Sequence, residues 1–351
     1  MQVRRLLPAL VVLLFVSWSD AADPAPRGLD IYFIDTEGGA ATLLVTPEGE
    51  SVLIDCGNPG NRDADRIFEV ASKQAGLKAI DHLVITHWHS DHYGGVARLV
   101  KLMPVRHFYD HGIPKELSED PKNFPVLIEA YKTATDGKSQ PLKPGDEIAL
   151  KQTKGGPALK LLCVCAAGDV VPDKPDAREN PLAKEHKAKD EDKTDNAKSL
   201  GFILTYGGFR FLDLGDLTWN IEYKLVHPSD KLGLIDVYQV THHGLDISNN
   251  PALIKTIQPR VAIYGNGAHK GCHPSVTGTL RRIEGIQAIY QMHKNLDAAA
   301  QENADPEYIA NIDEKCAGES IKLAVAPDAK SYTMTVGSNG KPKRYETRAG
   351  K

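Results

Sequence analysis

The segment from Thr86 to Gly95 constrains this chain more than any other. It follows the apolar run Leu83-Val84-Ile85, which is typical of a buried strand, and it precedes apolar residues at helical spacing. Three imidazoles and one carboxylate crowd the turn where the strand ends: His87, His89, Asp91 and His92. Neutral imidazole and carboxylate are ligands that bind Zn²⁺ and similar divalent ions. The spacing therefore predicts a metal site rather than a polar turn with exposed histidines.

Length and charge set the next limits. A chain of 351 residues can form one large domain or two modest ones, and either could bury a core. Its 42 basic and 46 acidic residues nearly balance, so net charge does not indicate nucleic acid as a partner, although a local groove could still be basic. We expect a small-molecule or phosphorylated substrate.

The first 22 residues have the pattern of a signal peptide. A short basic start is followed by eleven apolar residues, 6–16, and by small residues before position 23. The apolar run is too short to span a bilayer, and an uncleaved N-terminal anchor is the alternative. Since no later stretch is apolar enough to cross a membrane, the sequence predicts a periplasmic or extracellular protein without a membrane span after cleavage.

The pattern of elements indicates one α/β domain over residues 28–351. Strands precede helices in two successive halves, and polar residues repeatedly follow strand ends, which favours layers with a site along one sheet edge. Asp, Glu, Lys and Pro dominate residues 169–198, so we predict a solvated, flexible insertion there. The pair Gly207-Gly208 predicts a hairpin, and residues 320–346 predict a C-terminal β-hairpin.

The order of the polar motifs resembles that of the metallo-β-lactamase superfamily. The carriers of this resemblance are the His87-x-His89-x-Asp91-His92 signature, the strand-end Asp216 and the strand-end His243. Other segments resemble, more narrowly, the hydrolase domain of ComEC-type competence proteins and secreted phosphorylcholine esterases: residues 31–35 with Gly38-Gly39, residues 53–57, Asn196-x-x-Ser199-Leu200, residues 207–212 and Thr241-His242-His243-Gly244. The resemblance implies a four-layer αββα sandwich and a hydrolase with one or two divalent ions, Zn first and Mn or Fe as alternatives.

The resemblance also implies an assignment of ligands. His87 and His89 would bind one ion, Asp91 and His92 the second, and Asp216 would bridge them. Of the neighbours His242 and His243, we favour His243 as the ligand, since adjacent residues on a strand point to opposite sides. His242 would then face the substrate or support a ligand; two active histidines are the alternative.

The chain departs from the resemblance at two places. Many members have another histidine ligand between the first motif and the bridging aspartate, where this chain has only His107, His111 and His186. The ComEC-type branch tends to lack that histidine and has the Asn-x-x-Ser stretch nearby, which makes Asn196 and Ser199 candidates for supporting or substrate-binding roles. The Val-Gly-Gln-Gly-Asp turn of that branch is replaced by residues 36–40.

A second polar cluster, residues 269–275, precedes a predicted helix. Helix N-termini attract anions, and Lys270 adds positive charge, so His269 and Lys270 are candidates for a phosphate-binding lip. His273 would donate a proton to the leaving oxygen. The alternative is a polar helix entrance at which His273 only packs or caps. Asp55, at another strand end, is expected to hold the metal loop through hydrogen bonds.

The five cysteines do not suggest a disulfide scaffold, because their number is odd. Cys163 and Cys165 lie on one face of a predicted strand and are expected to be buried structural thiols. Cys272 and Cys316 could pair in an oxidising compartment.

These observations predict an exported hydrolase that attacks a phosphodiester or another phosphorylated substrate with a metal-bound hydroxide. Asp91 would hold that hydroxide, and His242 and His273 are further catalytic candidates. The first alternative is a hydrolase of β-lactams, lactones or thioesters on the same metals. The second is a metal-stabilised binding module without catalysis, which closed coordination would favour.

Overall fold

Two β-sheets lie face to face in residues 27–297 and 303–348, the part of the chain that this computed structural model describes. In this part the first sheet has nine strands: β1 (Leu29–Phe33), β2 (Thr42–Val45), β3 (Ser51–Ile54), β4 (Ile80–Val84), β5 (Val105–Asp110), β6 (Gln140–Pro141), β16 (Ile321–Val325), β17 (Ser331–Val336) and β18 (Lys343–Glu346). The second also has nine: β7 (Glu147–Ile148), β8 (Leu159–Ala166), β9 (Asp169–Val170), β10 (Gly201–Tyr206), β11 (Phe209–Asp213), β12 (Val237–Gln239), β13 (Val261–Tyr264), β14 (Ala288–His293) and β15 (Ile309–Asn311).

Helices cover the outer faces of both sheets. They are α1 (Arg62–Glu69, continued by a π-helical turn, Val70–Gln74), α2 (Ser90–Tyr93), α3 (Val96–Leu102), α4 (Phe124–Ala134), α5 (Trp219–Lys224), α6 (Pro251–Ile257) and α7 (Pro274–Arg281). Short 3₁₀ turns occupy Pro181–Glu185, Asp195–Lys198, Thr241–Gly244 and Pro306–Tyr308. None of the helices within 27–297 and 303–348 is long and apolar enough to cross a bilayer.

Alternation along the strands produces the layers. In β1, Ile31 and Phe33 face the core between the sheets, whereas Tyr32 packs beneath the helices of the first half. In β13, Val261 faces the central core and Tyr264 packs beneath the helices of the second half. Because successive strand residues point to opposite faces, each sheet buries both of its faces. The result is the helix–sheet–sheet–helix sandwich that the family resemblance implied.

Parallel strands bring the polar motifs to one edge. Strands β3, β4 and β5 run parallel to each other, as do β11, β12 and β13. The carboxyl ends of parallel strands meet at one edge of a sheet, where the loops gather functional groups. Asp55 follows β3, the histidine motif follows β4, and residues 216 and 241–244 follow β11 and β12.

The structure confirms one predicted hairpin and alters two other predicted segments. The Gly207-Gly208 hairpin is confirmed as β10–β11. Residues 320–346, predicted as a hairpin, form the three antiparallel strands β16–β18. Residues 169–198 are largely exposed, yet the segment ends in the buried Asp195 and Asn196. The predicted signal peptide, 1–22, lies outside the described residues.

All five cysteines are unbridged thiols. Cys163 and Cys165 are buried in β8. Cys272 and Cys316, considered as a disulfide pair, have separate partners: the Sγ of Cys272 accepts a hydrogen bond from Gln291, and the thiol of Cys316 donates to Asp35.

Candidate metal centre

Asp216 is the hub of the polar cluster. Its Oδ2 lies 3.3 Å from the Nε2 atoms of His92, His242 and His243, and 3.9 Å from Nε2 of His87. Asp91 completes the group, with its Oδ2 at 3.8 Å from Nε2 of both His92 and His243. Residues from the first half of the chain therefore meet residues from the second half around one carboxylate.

The histidine motif is bent so that its side chains converge. His87 lies in the loop after β4. Helix α2 begins directly after His89, whose backbone is extended. The rings of His87 and His92 lie 4.0 Å apart, centre to centre. Thus the change from strand to helix within six residues brings two imidazoles into one cavity.

The segment Thr241–Gly244 is a turn, and this overturns the strand geometry that we assumed for His242 and His243. Both histidines have positive φ, 54° and 53°. Two successive left-handed residues direct both rings toward Asp216, whereas a strand would have separated them. Gly244 also has positive φ, 84°, and a Cβ there would lie 2.1 Å from the Tyr264 ring. Glycine is required at this position.

Three buried imidazole nitrogens fit a metal ion. The Nε2 atoms of His87, His92 and His243 make no well-directed hydrogen bond in the described part of the chain. Buried polar atoms are rarely left without a partner, so each such atom calls for an explanation. Two sets of candidate ligand atoms lie within 4.8 Å of one another: His87, His92 and Asp216, and Asp91, His92 and His243. Nitrogen and oxygen donors of this kind fit Zn²⁺, Mn²⁺ or Fe²⁺.

The electrostatics favour a bound cation. Burial opposes the charged form of His92, but the carboxylates of Asp216, Asp55 and Asp91 outweigh it and hold the pKa of His92 well above its ordinary value. Burial and the neighbouring His92 hold the pKa of His87 well below its ordinary value, so its ring is neutral with a lone pair. Burial lowers the pKa of His242 to about 4 despite the opposing charge of Asp216. A neutral His242 suits a ligand or a base better than an acid.

His89 stands apart from the other predicted ligands. Its Nε2 lies 3.4 Å from Oε1 of Glu119, and its ring meets the His87 ring edge-on at 4.7 Å. Its role as a ligand stays a prediction. Three histidines were considered for a missing ligand, and each has another partner outside the cluster. The ring of His107 stacks on that of His82. His111 is hydrogen-bonded to Asp195, and His186 is hydrogen-bonded to Asn250.

Asp55 orients the histidine motif through two contacts. Its Oδ1 accepts the backbone N–H of Thr86, and its Oδ2 lies 2.7 Å from Nδ1 of His92. A carboxylate behind a metal-binding imidazole fixes the ring and its tautomer. The carbonyl oxygen of Gly265 orients His243 in the same way, because it lies 2.8 Å from Nδ1 of that ring. The outward nitrogens of His92 and His243 are thereby directed at Asp216.

Ser199 contacts the bridging residue Asp216, and Asn196 lies in the same buried turn, where its carbonyl accepts the backbone N–H of Ser199. The hydroxyl of Ser199, which is fully buried, accepts the backbone N–H of Asp216 at 3.3 Å. Asn196 is 5% exposed, and its Oδ1 has no hydrogen-bond partner among the described residues. Ser199 therefore positions Asp216.

Lys270 reaches the cluster from the second half of the chain. Its Nζ lies 2.5 Å from Oδ2 of Asp91 and donates to the carbonyl of Gly38 at 2.7 Å. Gly39 packs against the backbone of Asp91, because a Cβ there would lie 2.4 Å from the Asp91 carbonyl oxygen. The turn that replaces the Val-Gly-Gln-Gly-Asp sequence is thus part of the site wall.

The other residues of the predicted lip have different surroundings. His269 is exposed, and its Nδ1 lies 2.9 Å from Asp297. His273 caps α7, with its Nδ1 accepting the backbone N–H of Ser275. The capping alternative describes this contact, and proton donation by His273 stays a prediction.

Two acidic residues of the region were missed. Asp195 accepts the backbone N–H of Trp88 at 2.8 Å and thereby fixes the histidine motif. Asp213 lies behind the bridging aspartate, where burial raises its pKa to about 7. Its place at the end of strand β11, three residues before Asp216, could have suggested Asp213. Asp195 was hidden in a charged segment that we interpreted as solvated.

Comparisons with known proteins agree with this geometry. Residues 35–162 match the sequence model of the metallo-β-lactamase superfamily. The chain is 28% identical to ComE operon protein 3 of Bacillus subtilis over 260 residues, 70% of this chain and 29% of that protein. It is 34% identical to ribonuclease Z of Clostridium tetani over 82 residues, 21% of this chain and 24% of that protein. The chain thus spans less than a third of the length of either relative.

Among solved structures, a putative metal-dependent hydrolase from Parabacteroides distasonis aligns at a TM-score of 0.41 with 18% identity, over 74% of this chain and 92% of that one. CmlA, a diiron β-hydroxylase from Streptomyces venezuelae, aligns at a TM-score of 0.44 with 16% identity, over 76% and 53%. The match over residues 35–162 contains the histidine motif, and the rest of the cluster comes from later strands. Over residues 35–162 the chain is similar to the metallo-β-lactamase superfamily, and ComE operon protein 3 is a ComEC-type relative of it.

Proposed function

We propose that this protein is a metal-dependent hydrolase that cleaves a phosphodiester or another phosphorylated substrate. One observation carries the proposal: three buried Nε2 atoms surround the carboxylate of Asp216 and make no well-directed hydrogen bond to any residue that the structure describes. In this proposal His87, His92, Asp91, His243 and Asp216 hold one or two divalent ions. Such ions lower the pKa of a bound water and offset the negative charge that develops during a displacement.

A pocket beside the cluster favours catalysis over a purely structural metal. Gly39–Thr42, Gln239 and His242 line it, together with Asp216 and His243. Structural metal sites are closed by protein ligands, whereas catalytic sites keep a position open. An opening next to Asp216 and His243 is the arrangement expected of the catalytic kind.

Lys270 supports a phosphorylated substrate. It brings an ammonium group to the Asp91 side of the cluster, and its side chain is 38% exposed. A partly exposed cation can bind a phosphate oxygen once Asp91 engages a metal ion. Phosphodiester chemistry also agrees with the name of one relative, ribonuclease Z, and other relatives are named thioesterases. A carbonyl substrate, for which the β-lactam nitrocefin is the probe, is therefore the competing outcome of the test.

The experiment compares two chromogenic substrates and one polymer. Purified protein, with its metal content measured, is assayed with bis-p-nitrophenyl phosphate, nitrocefin and a single-stranded DNA oligonucleotide. Asp91→Ala should abolish turnover, while His107→Ala, an exposed histidine on β5, should leave it unchanged.

Each outcome is decisive. Turnover of the diester that is lost in Asp91→Ala supports the proposal, and cleavage of the oligonucleotide extends it to nucleic acid. Turnover of nitrocefin alone would replace it with a carbonyl hydrolase. Full metal occupancy with no turnover would favour the binding module.

Export is part of the same proposal. The basic and apolar start of the chain supports it. Cell fractionation with N-terminal sequencing should find the protein outside the cytoplasm, starting near residue 23; a cytoplasmic protein that begins at Met1 would contradict export.

A further inference from the structure

A second group of candidate ligands lies outside the site described above. The group has one candidate ligand atom from each of Asp35, His293 and Cys316, and these three atoms lie within 4.8 Å of one another. Asp35 follows β1, His293 ends β14, and Cys316 lies in the loop between β15 and β16. The three residues are up to 281 positions apart in the sequence. The fold therefore brings them together where the two sheets meet.

The contacts within this group are close and shielded. Nε2 of His293 lies 2.7 Å from Oδ1 of Asp35, and the Sγ of Cys316 lies 3.5 Å from Oδ2 of the same carboxylate. Asp35 and His293 are 0% and 1% exposed, and Nδ1 of His293 is buried without a hydrogen-bond partner in the described part of the chain. Cys316 is only partly buried, so it leaves a path for an ion.

We propose that Asp35, His293 and Cys316 form a separate binding site for a zinc-like divalent ion. Thiolate sulfur, imidazole nitrogen and carboxylate oxygen are the donors that Zn²⁺ takes in proteins. On binding, the S–H bond of Cys316 breaks, its proton leaves to solvent and an S–metal bond forms. The proton that Nε2 of His293 shares with Asp35 moves to Nδ1 of the same ring, so that Nε2 forms the N–metal bond; no electron is transferred. A fourth position, on the exposed side of Cys316, is filled by water.

Arg66 does not prevent this occupancy. Its Nη1 lies 3.0 Å from Oδ2 of Asp35, and its Nη2 lies 3.1 Å from Oε1 of Glu37. When an ion binds Asp35, the guanidinium of Arg66 stays paired with Glu37. The carboxylates of Asp35 and Glu37 and the thiolate of Cys316 then balance the charges of Arg66 and the divalent ion. Arg62, which also pairs with Glu37, is matched by Asp63, so no uncompensated charge is buried.

The site would influence the main centre through one turn. Asp35 begins the segment that leads to Gly38, whose carbonyl accepts the ammonium of Lys270. Oδ1 of Asp35 also accepts the backbone N–H of Glu37 at 2.8 Å. An ion held by Asp35 would therefore fix the start of the turn that forms the wall beside Asp91.

The test uses Co²⁺ as a spectroscopic probe. Co²⁺ bound to a thiolate gives a near-ultraviolet charge-transfer band, and the cluster around Asp216 contains no sulfur ligand. The full chain, reduced and desalted, is titrated with Co²⁺ alongside Cys316→Ser and the control Cys272→Ser, whose thiol lies near Gln291. His293→Gln serves as a second variant.

The proposal expects the band in the wild type and in Cys272→Ser, its loss in Cys316→Ser and His293→Gln, and one fewer ion per chain in those two variants. Circular dichroism checks that each variant is folded. A wild type that saturates with Co²⁺ without the band would overturn the proposal, as would a band that survives in Cys316→Ser. These readouts do not depend on hydrolysis, so the second site can fail while the main site stands.

Discussion

Asp216 shows how much of the site depends on single side chains. Four imidazoles face its Oδ2 within 3.9 Å. Burial would raise the pKa of Asp216, but His242, His243 and His92 hold it well below the ordinary value. Its backbone N–H is held in turn by Ser199. At this scale the site consists of ligands and of the groups that aim them.

Asp55→Asn should reduce metal affinity or activity about 10–100-fold, because an amide cannot accept from both Thr86 and His92 as a carboxylate does. Isothermal titration with Zn²⁺ and the diester assay measure both effects. Asp136→Asn, an exposed carboxylate beside Lys138, is the matched control. Unchanged affinity and activity in folded Asp55→Asn protein would show that His92 needs no carboxylate behind it.

The residue types at the centre could be predicted from sequence, but their partners could not. The spacing of His87, Asp91 and His92 identifies them as candidate ligands. Asp216 is identified by its place after a strand. The ion pair of Lys270 with Asp91 joins residues 179 positions apart, so no local pattern reveals it. The sequence pointed to Lys270 only as a cation for phosphate.

At the scale of elements, the turn Thr241–Gly244 decides the geometry of the second half-site. We assumed a strand because Val237–Gln239 is one. Left-handed backbone at His242 and His243 is locally unfavourable, and tertiary contacts impose it: the N–H of His242 donates to Gly215, and the carbonyl of His243 accepts from Cys272. The glycine that ends the turn was the available signal, and we did not use it.

Gly244→Ala should lower the free energy of unfolding by about 2–5 kcal/mol, since the new Cβ adds left-handed strain to a clash with Tyr264. Gly49→Ala is the control: its φ is also positive, 75°, but nothing lies within 4 Å of the added Cβ. That variant should lose only about 1–2 kcal/mol. Equal losses in urea denaturation would mean that close packing at Gly244 is unimportant.

Helix α5 carries a buried acid that makes stability depend on pH. Burial raises the pKa of Glu222 to about 7, although its Oε2 accepts the backbone N–H of Asn250. Its folded pKa lies above the ordinary value of 4.5, so its contribution is complete below pH 4.5 and is lost as pH rises through about 7. Glu222→Gln should therefore remove part of the fall in unfolding free energy between these pH values. Parallel curves for both proteins would exclude a raised pKa.

At the scale of the whole molecule, the centre joins two halves of one sandwich. Asp91 and His92 belong to the half containing the first sheet's parallel strands, and Asp216 and His243 follow strands of the second sheet. A layered α/β architecture could be predicted because alternation within strands and helical spacing between them are local patterns, whereas the four-layer order was implied by the resemblance to the metallo-β-lactamase superfamily. The end of the insertion was misjudged, since the contact of Asp195 with His111 crosses 84 positions.

Removal of metal should destabilise the whole domain, because ions that bind only the folded chain hold its halves together. At free metal a hundredfold above Kd the contribution is about 2.7 kcal/mol. Differential scanning calorimetry with and without a chelator should show a lower Tm that added Zn²⁺ restores. Asp216→Ala should respond much less, and an equal response in that variant would place the stabilising ion elsewhere.

The central claim is that His87, His92, Asp91, Asp216 and His243 hold divalent metal. Anomalous diffraction at the zinc edge from crystals grown with Zn²⁺ tests it most directly. We expect one or two strong peaks within bonding distance of Oδ2 of Asp216 and of the Nε2 atoms of His87, His92 and His243. A fully occupied zinc elsewhere, with these imidazoles free of metal, would contradict it.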